Sequence, residues 1–174
     1  MTGVPAGPDL SVRPSWGIAS RDPPVMSPIP RYPVAPALRQ VGALLGLDHR
    51  LVLRHAGLAP DLADHEGPGV TADGFFRIWE AVEALAPRDD WVLHLACAAA
   101  RGQVVPAVLA FSCSADVASG LDRLRLFKPL AGPCTILLTP RPDGGIVLGL
   151  EGPEGRPPPG SFGAFEAVYF VELI

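Results

Sequence analysis

Cysteine, histidine, serine and lysine are the side chains most able to do chemistry, and in this sequence their spacing argues against catalysis. The three cysteines, Cys97, Cys113 and Cys134, are odd in number and far apart, with no Cys-x-x-Cys pair. That pattern builds neither a disulfide framework nor a zinc site, and reads as three buried, small apolar side chains in a reducing cytoplasm. The histidines, His49, His55, His65 and His94, share no metal-ligand spacing. His49 and His55, six residues apart, fall on different faces of a helix, and His94 sits among apolar neighbours as a partly buried side chain. No metal or other cofactor is expected. The serines of FSCSAD lack the flanking glycines of a nucleophile elbow. Cys113 is a nucleophile only if its thiol is activated, and no His or Lys lies near it in sequence. The glycines of GPEGRPPPG cannot cradle a phosphate, because the prolines between them remove amide donors. The chain is therefore read as a non-enzyme.

What remains is binding chemistry. Phe75 and Trp79, four residues apart, either wall a ligand pocket or fill a core. Phe111 and Cys113 lie on an apolar segment expected to be internal, where they either pack or line a cavity. Lys128 admits two roles. It offsets the negative end of its helix, or it is an electrostatic partner for an acidic effector. Arg123 is expected to pair on the surface with Asp122 or a glutamate.

These residues need elements to hold them. With 48% hydrophobic and 18% charged residues, the chain can bury a core and is too apolar for a disordered protein. Its net charge of -4 argues against a phosphate-gripping surface. No charged-then-apolar leader opens the sequence and no apolar run approaches the length of a membrane span, so a soluble, cytoplasmic protein is expected. Residues 1–36 carry prolines every few positions, which removes backbone donors and disfavours helix. This stretch is read as a disordered tail, or as an artefact of translation that truly begins near Met26.

From Ala37 the apolar period becomes helical. Leu38, Val41, Leu44 and Leu45 mark a first helix that stops at Gly46, and Asp48 caps a second with Leu51, Leu53 or Val52, and Leu58 turned inward. The Pro, Asp and Gly content of 59–69 predicts a poorly structured loop. Thr71 starts a longer helix with a stripe of Phe75, Ile78, Trp79, Val82 and Leu85. WVLHLACAAARG follows as a helix, and VVPAVLAFSC, apolar nearly all round, is expected to be a buried one. Ser114 or Asp116 caps a helix carrying Val117, Leu121, Leu124 and Phe127. The period then changes. CTILLTP and GIVLGLE, joined by Arg141-Pro142-Asp143-Gly144-Gly145, predict a β-hairpin. A final helix, FGAFEAVYFVELI, with Phe162, Phe165, Val168, Tyr169 and Leu173 among its apolar residues, runs to Ile174 without a cap and reads as cut within a helix. The fold class is α+β: a mostly helical domain with a hairpin late in the chain packed on helices.

The order LGLD, a Leu-rich helix, the Trp79 helix and FSCSADVASGLDRLRLFKPLAGP is similar to the N-terminal, arabinose-binding-like domain of AraC-family transcription regulators. Cys113, Ser114, Val117, Leu121, Arg123, Leu124, Lys128, Leu130, Gly132 and Pro133 fit the family's Ser-rich turn and following helix. The likeness covers roughly residues 37–174, and the Pro-rich segment has no counterpart in it. It implies an effector-sensing and dimerisation module in which an unidentified small molecule changes how appended DNA-binding helices are presented. It also implies a homodimer that meets DNA only through a C-terminal helix-turn-helix domain not contained in these residues. The alternative is a stand-alone small-molecule binding or dimerisation protein that no longer binds DNA. The residues expected to bind ligand are Phe75, Trp79, Phe111, Cys113 and Lys128.

Overall fold

The computed structural model describes residues 29–102 and 106–174; most of the Pro-rich segment lies outside the described residues. The described chain forms seven α-helices, a short 3-10 turn and one antiparallel hairpin, an α+β fold that is mostly helical. Packing begins earlier than Ala37. Tyr32 forms a two-way backbone bridge with Val70, and Val34 and Ala35 are buried. Helix α1 (Ala35–Leu45) accepts Pro36 because it lies in the first turn, where an amide N–H has no partner to lose.

Local chemistry sets the next boundaries. Gly46 ends α1 in the left-handed region. The Asp48 side chain accepts from the Arg50 amide to start α2 (His49–His55), and the Thr71 hydroxyl accepts from Gly74 to start α3 (Ala72–Leu85). Between them, the loop expected to be poorly structured is pinned. Ala63 is fully buried and its carbonyl accepts from Arg39, while Asp64 pairs with Arg50 at 2.7 Å and His49 at 3.4 Å. Gly69 adopts a positive φ, and a Cβ there would lie 2.1 Å from the Tyr32 carbonyl oxygen, so the bridge to Tyr32 requires glycine.

Helix α4 (Trp91–Gly102) packs against the final helix α7 (Gly160–Leu173), and Arg101 meets Glu172 at 3.0 Å near the C-terminal ends of both. Helix α5 (Pro106–Ser112) packs on α6 (Val117–Ala131). Asp116, rather than Ser114, caps α6 by accepting from the Ser119 amide. Strands β1 (Thr135–Pro140) and β2 (Ile146–Glu151) pair in register from Thr135–Glu151 to Pro140–Ile146. Alternation turns Ile136, Leu138, Leu148 and Leu150 onto the helices and leaves Leu137 and Val147 exposed.

The core is divided. One cluster joins α1 to α4 through residues such as Leu38, Leu53, Ile78, Val82 and Leu95. The other joins α5, α6, the hairpin and α7 around Leu121, Leu124, Ile136 and Phe170. Helix α7 serves both, with Phe165 packed on the first cluster and Phe170 in the second.

Several inward-facing expectations need correction. Leu51 is 43% exposed, because a seven-residue helix with neighbours on one side buries Val52 and Leu53 and turns Leu51 away. Val117 and Phe127 flank the buried Leu121 and Leu124 and stay partly exposed. Helix α5 is not internal: it buries no residue fully, and Leu109 faces solvent at 53% exposure. His94 is exposed as well.

Candidate functional site

A cavity of about 260 Å³ lies at the seam between the two clusters. Its floor comes from α1, where Ala37, Val41 and Leu44 recur at three- and four-residue spacing on one face. Phe75 and Trp79 enter from α3, Leu95 and Ala99 from α4, Ala107 and Val108 from α5, and Leu124 and Lys128 from α6. Helix α7 contributes Phe162, Phe165, Glu166, Tyr169 and Phe170. A void of about 70 Å³ adjoins it and shares Val34, Ala37, Val41, Phe75 and Trp79.

The aromatic wall is held edge to face. Trp79 meets Phe162 with ring centres 5.0 Å apart at 88° and Phe165 at 5.2 Å and 64°, while Phe75 meets Phe162 at 6.0 Å and 85°. Such contacts place the positive edge of one ring on the negative face of another. The Trp79 indole Nε1–H donates to the Ser161 hydroxyl at 2.8 Å, and that hydroxyl donates to Glu83 at 2.7 Å. This relay ties α3 to the start of α7 and fixes the indole plane.

The polar part of the wall is compact. Lys128 donates to Glu166 and sits 5.5 Å from the centre of the Phe162 ring. The side chain of Glu166 is 3% exposed and that of Lys128 15%, so each charge depends on the other. The second carboxylate oxygen of Glu166, Oε2, is buried and has no protein donor among the described residues. Burial, with the Glu166 charge as a smaller cause, raises the Tyr169 hydroxyl above its ordinary value. Burial pushes the nearby Cys134 thiol up to about 11, with Lys128 opposing and Glu166 adding to the shift.

Three of the five residues singled out in the sequence, Phe75, Trp79 and Lys128, line this one cavity. Phe111 and Cys113 do not. The Phe111 ring covers Gly120 so closely that a Cβ there would lie 2.6 Å from it, which welds α5 to α6. Cys113 is exposed beyond the end of α5. Lys128 answers a buried carboxylate rather than open helix carbonyls. Arg123 donates to the carbonyls of Ala110 and Cys113 at the end of α5, and it is Arg125 that pairs with Asp122. Sequence reasoning missed Glu166, Phe162 as a wall of the cavity, and Phe170. The available signal was a single carboxylate within FEAVYFV, an apolar stretch with no other charge.

Among the described residues no group of three His, Cys, Asp or Glu side chains could hold a metal ion, and no single helix is long and apolar enough to cross a membrane. No curated protein and no solved structure matches the chain. A family model described as the N-terminal arabinose-binding domain of AraC transcription regulators matches residues 46–173, from the end of α1 through α7. With its seam cavity and hairpin-bearing helical fold, the chain belongs to the family of N-terminal arabinose-binding domains of AraC transcription regulators.

Proposed function

We propose that this domain senses a small-molecule effector in the seam cavity and acts as the dimeric regulatory unit, residues 37–174 with Tyr32 to Pro36 packed on it, of a transcription regulator. The observation that carries this reading is the cavity itself, placed between two separate cores and bridged by α7. A ligand there touches both cores, so its affinity differs between arrangements of the two, which is the requirement for a switch. An apolar void of about 150 Å³ accommodates benzene, so about 260 Å³ takes a slightly larger ring-bearing metabolite. Arabinose itself fits the wall poorly. A pentose carries several hydroxyls that each need a partner on desolvation. The polar side chains here are Gln40, Lys128, Glu166 and Tyr169, and Lys128 is already engaged by one oxygen of Glu166, so too few partners remain.

Dimerisation finds support in Leu126 and Leu130, exposed at 71% and 73% and one helical turn apart on α6, and in Leu137 and Val147 on the outer face of the hairpin. The net charge of -4 favours DNA contact through another module rather than through this one.

Screening a metabolite library by thermal shift, with Ala99→Leu as the blocked control, tests the sensing reading. Ala99 lines the cavity, and the added side chain fills part of it. An effector that stabilises the parent domain is expected to lose at least tenfold in affinity in Ala99→Leu. Unchanged binding in that variant places the site elsewhere and refutes the proposal. Sedimentation velocity at micromolar concentration tests the dimer, with Leu126→Glu and Leu130→Glu as the dissociating pair.

A further inference from the structure

A buried carboxylate oxygen without a protein donor among the described residues narrows the chemistry of the effector, an inference that rests on the cavity being the effector site. Three observations converge on it. The wall is apolar and aromatic from six helices, which selects a ring or hydrocarbon body. Its charges, Lys128 and Glu166, are paired, so the site is neutral as it stands. An anionic ligand would compete with Glu166 for Lys128 and strand the carboxylate in an apolar wall. A cationic ligand would place a second positive charge beside Lys128 away from water. Finally, Glu166 has one oxygen engaged by Lys128 while Oε2, buried, has no protein donor among the described residues. An ionised carboxylate accepts hydrogen bonds and cannot donate one, so what completes it is a donor.

We infer that the effector is a neutral, ring-bearing small molecule whose hydroxyl or N–H group donates to Glu166 Oε2 while its ring packs among Trp79, Phe162 and Phe165. This revises the role of Lys128. The lysine engages one oxygen of the carboxylate and is not itself the anchor of an acidic effector.

Benzyl alcohol and anisole test this directly. They are isomers of equal size and differ in that only the alcohol can donate. NMR titration of the full chain, following the Trp79 indole N–H, is expected to show benzyl alcohol binding about tenfold more tightly than anisole. Benzoate and benzylamine are expected to bind more weakly than benzyl alcohol. In Glu166→Gln, whose neutral amide oxygen is a weaker acceptor, the preference for the alcohol over anisole is expected to fall to about threefold or less. Should Glu166→Gln fail to fold, the four ligands on the parent chain decide the matter alone. Anisole or benzoate binding as well as the alcohol overturns the donor assignment and leaves the cavity standing as a ligand site. Tighter binding of benzylamine overturns the neutral class. An unchanged preference in folded Glu166→Gln moves the contact away from that carboxylate. No binding by any of the four overturns both this inference and the effector reading of the cavity.

Discussion

Replacing Lys128 by methionine removes one charge from a pair in which the survivor has nowhere to go. The Glu166 side chain is 3% exposed, walled by α7's own rings and the far side of the cavity. Methionine keeps most of the volume and the contact with Phe162, so the loss is electrostatic rather than a packing defect. Breaking a buried pair from one side costs about 3–5 kcal/mol. Lys128 retains 15% exposure, which admits some water to the stranded carboxylate and puts the expected loss near the lower figure, about 3 kcal/mol. With a urea slope of about 2 kcal/mol per molar for a domain of this size, the midpoint is expected to fall by roughly 1.5 M. The partner change Glu166→Leu in the Lys128→Met background removes the stranded charge, and the double variant is expected to recover at least half of the loss. Urea unfolding of the parent, both single variants and the double variant closes the cycle. A Lys128→Met loss below 1 kcal/mol, or a double variant equal to the sum of the singles, would refute the claim that the two charges depend on each other.

Three further outcomes follow from the same structure. Ser161→Ala leaves the Trp79 indole N–H without its acceptor and frees Glu83, and is expected to cost about 1–2 kcal/mol and to shift the tryptophan emission maximum; an unchanged emission spectrum counts against the relay. The Cys134 thiol, raised by burial from 9.0 to about 11, keeps its proton in the folded state where the unfolded chain has lost it. Its stability contribution is therefore fully present below pH 9 and lost as pH rises from 9 to 11, on the order of 2 kcal/mol. Cys134→Ala is expected to flatten that part of the urea-midpoint profile, and an identical fall in the variant would assign the alkaline loss to other groups. Gly69→Ala combines an unfavourable positive φ with a 2.1 Å approach to the Tyr32 carbonyl. It is expected to cost at least 2 kcal/mol and to expose the Tyr32–Val70 bridge amides to hydrogen exchange.

The resemblance noted in the sequence led to the family that the match over 46–173 establishes. Its motif, however, marks the cavity only in part. Lys128 belongs to that motif and lines the cavity, whereas Cys113 belongs to it and is exposed. Phe75 and Trp79 were legible because aromatic residues four apart on an amphipathic helix share a face, and that face had to meet something. Glu166 and Phe162 were not legible in the same way, since α7 is apolar on nearly every side and its periodicity marks no inward direction. The expectation of a buried α5 failed for a related reason. Apolar residues all round a short helix show that it tolerates burial, and burial itself depends on how many neighbours arrive.

Chain-local chemistry determined much of this protein from sequence alone. The caps at Asp48, Thr71 and Asp116, the stop at Gly46 and the turn between Pro140 and Ile146 all act within a few residues, so a one-dimensional reading captures them. The pairing of Lys128 with Glu166, the relay from Trp79 to Glu83 across 82 and 78 residues, and the turn of Arg123 onto α5 were decided only by tertiary structure. The division of the core, and the cavity left at its seam, belong with them. Those contacts arise from where α7 lands against two clusters, and the free energy that places a helix is spread over the whole apolar interface rather than written in any local pattern.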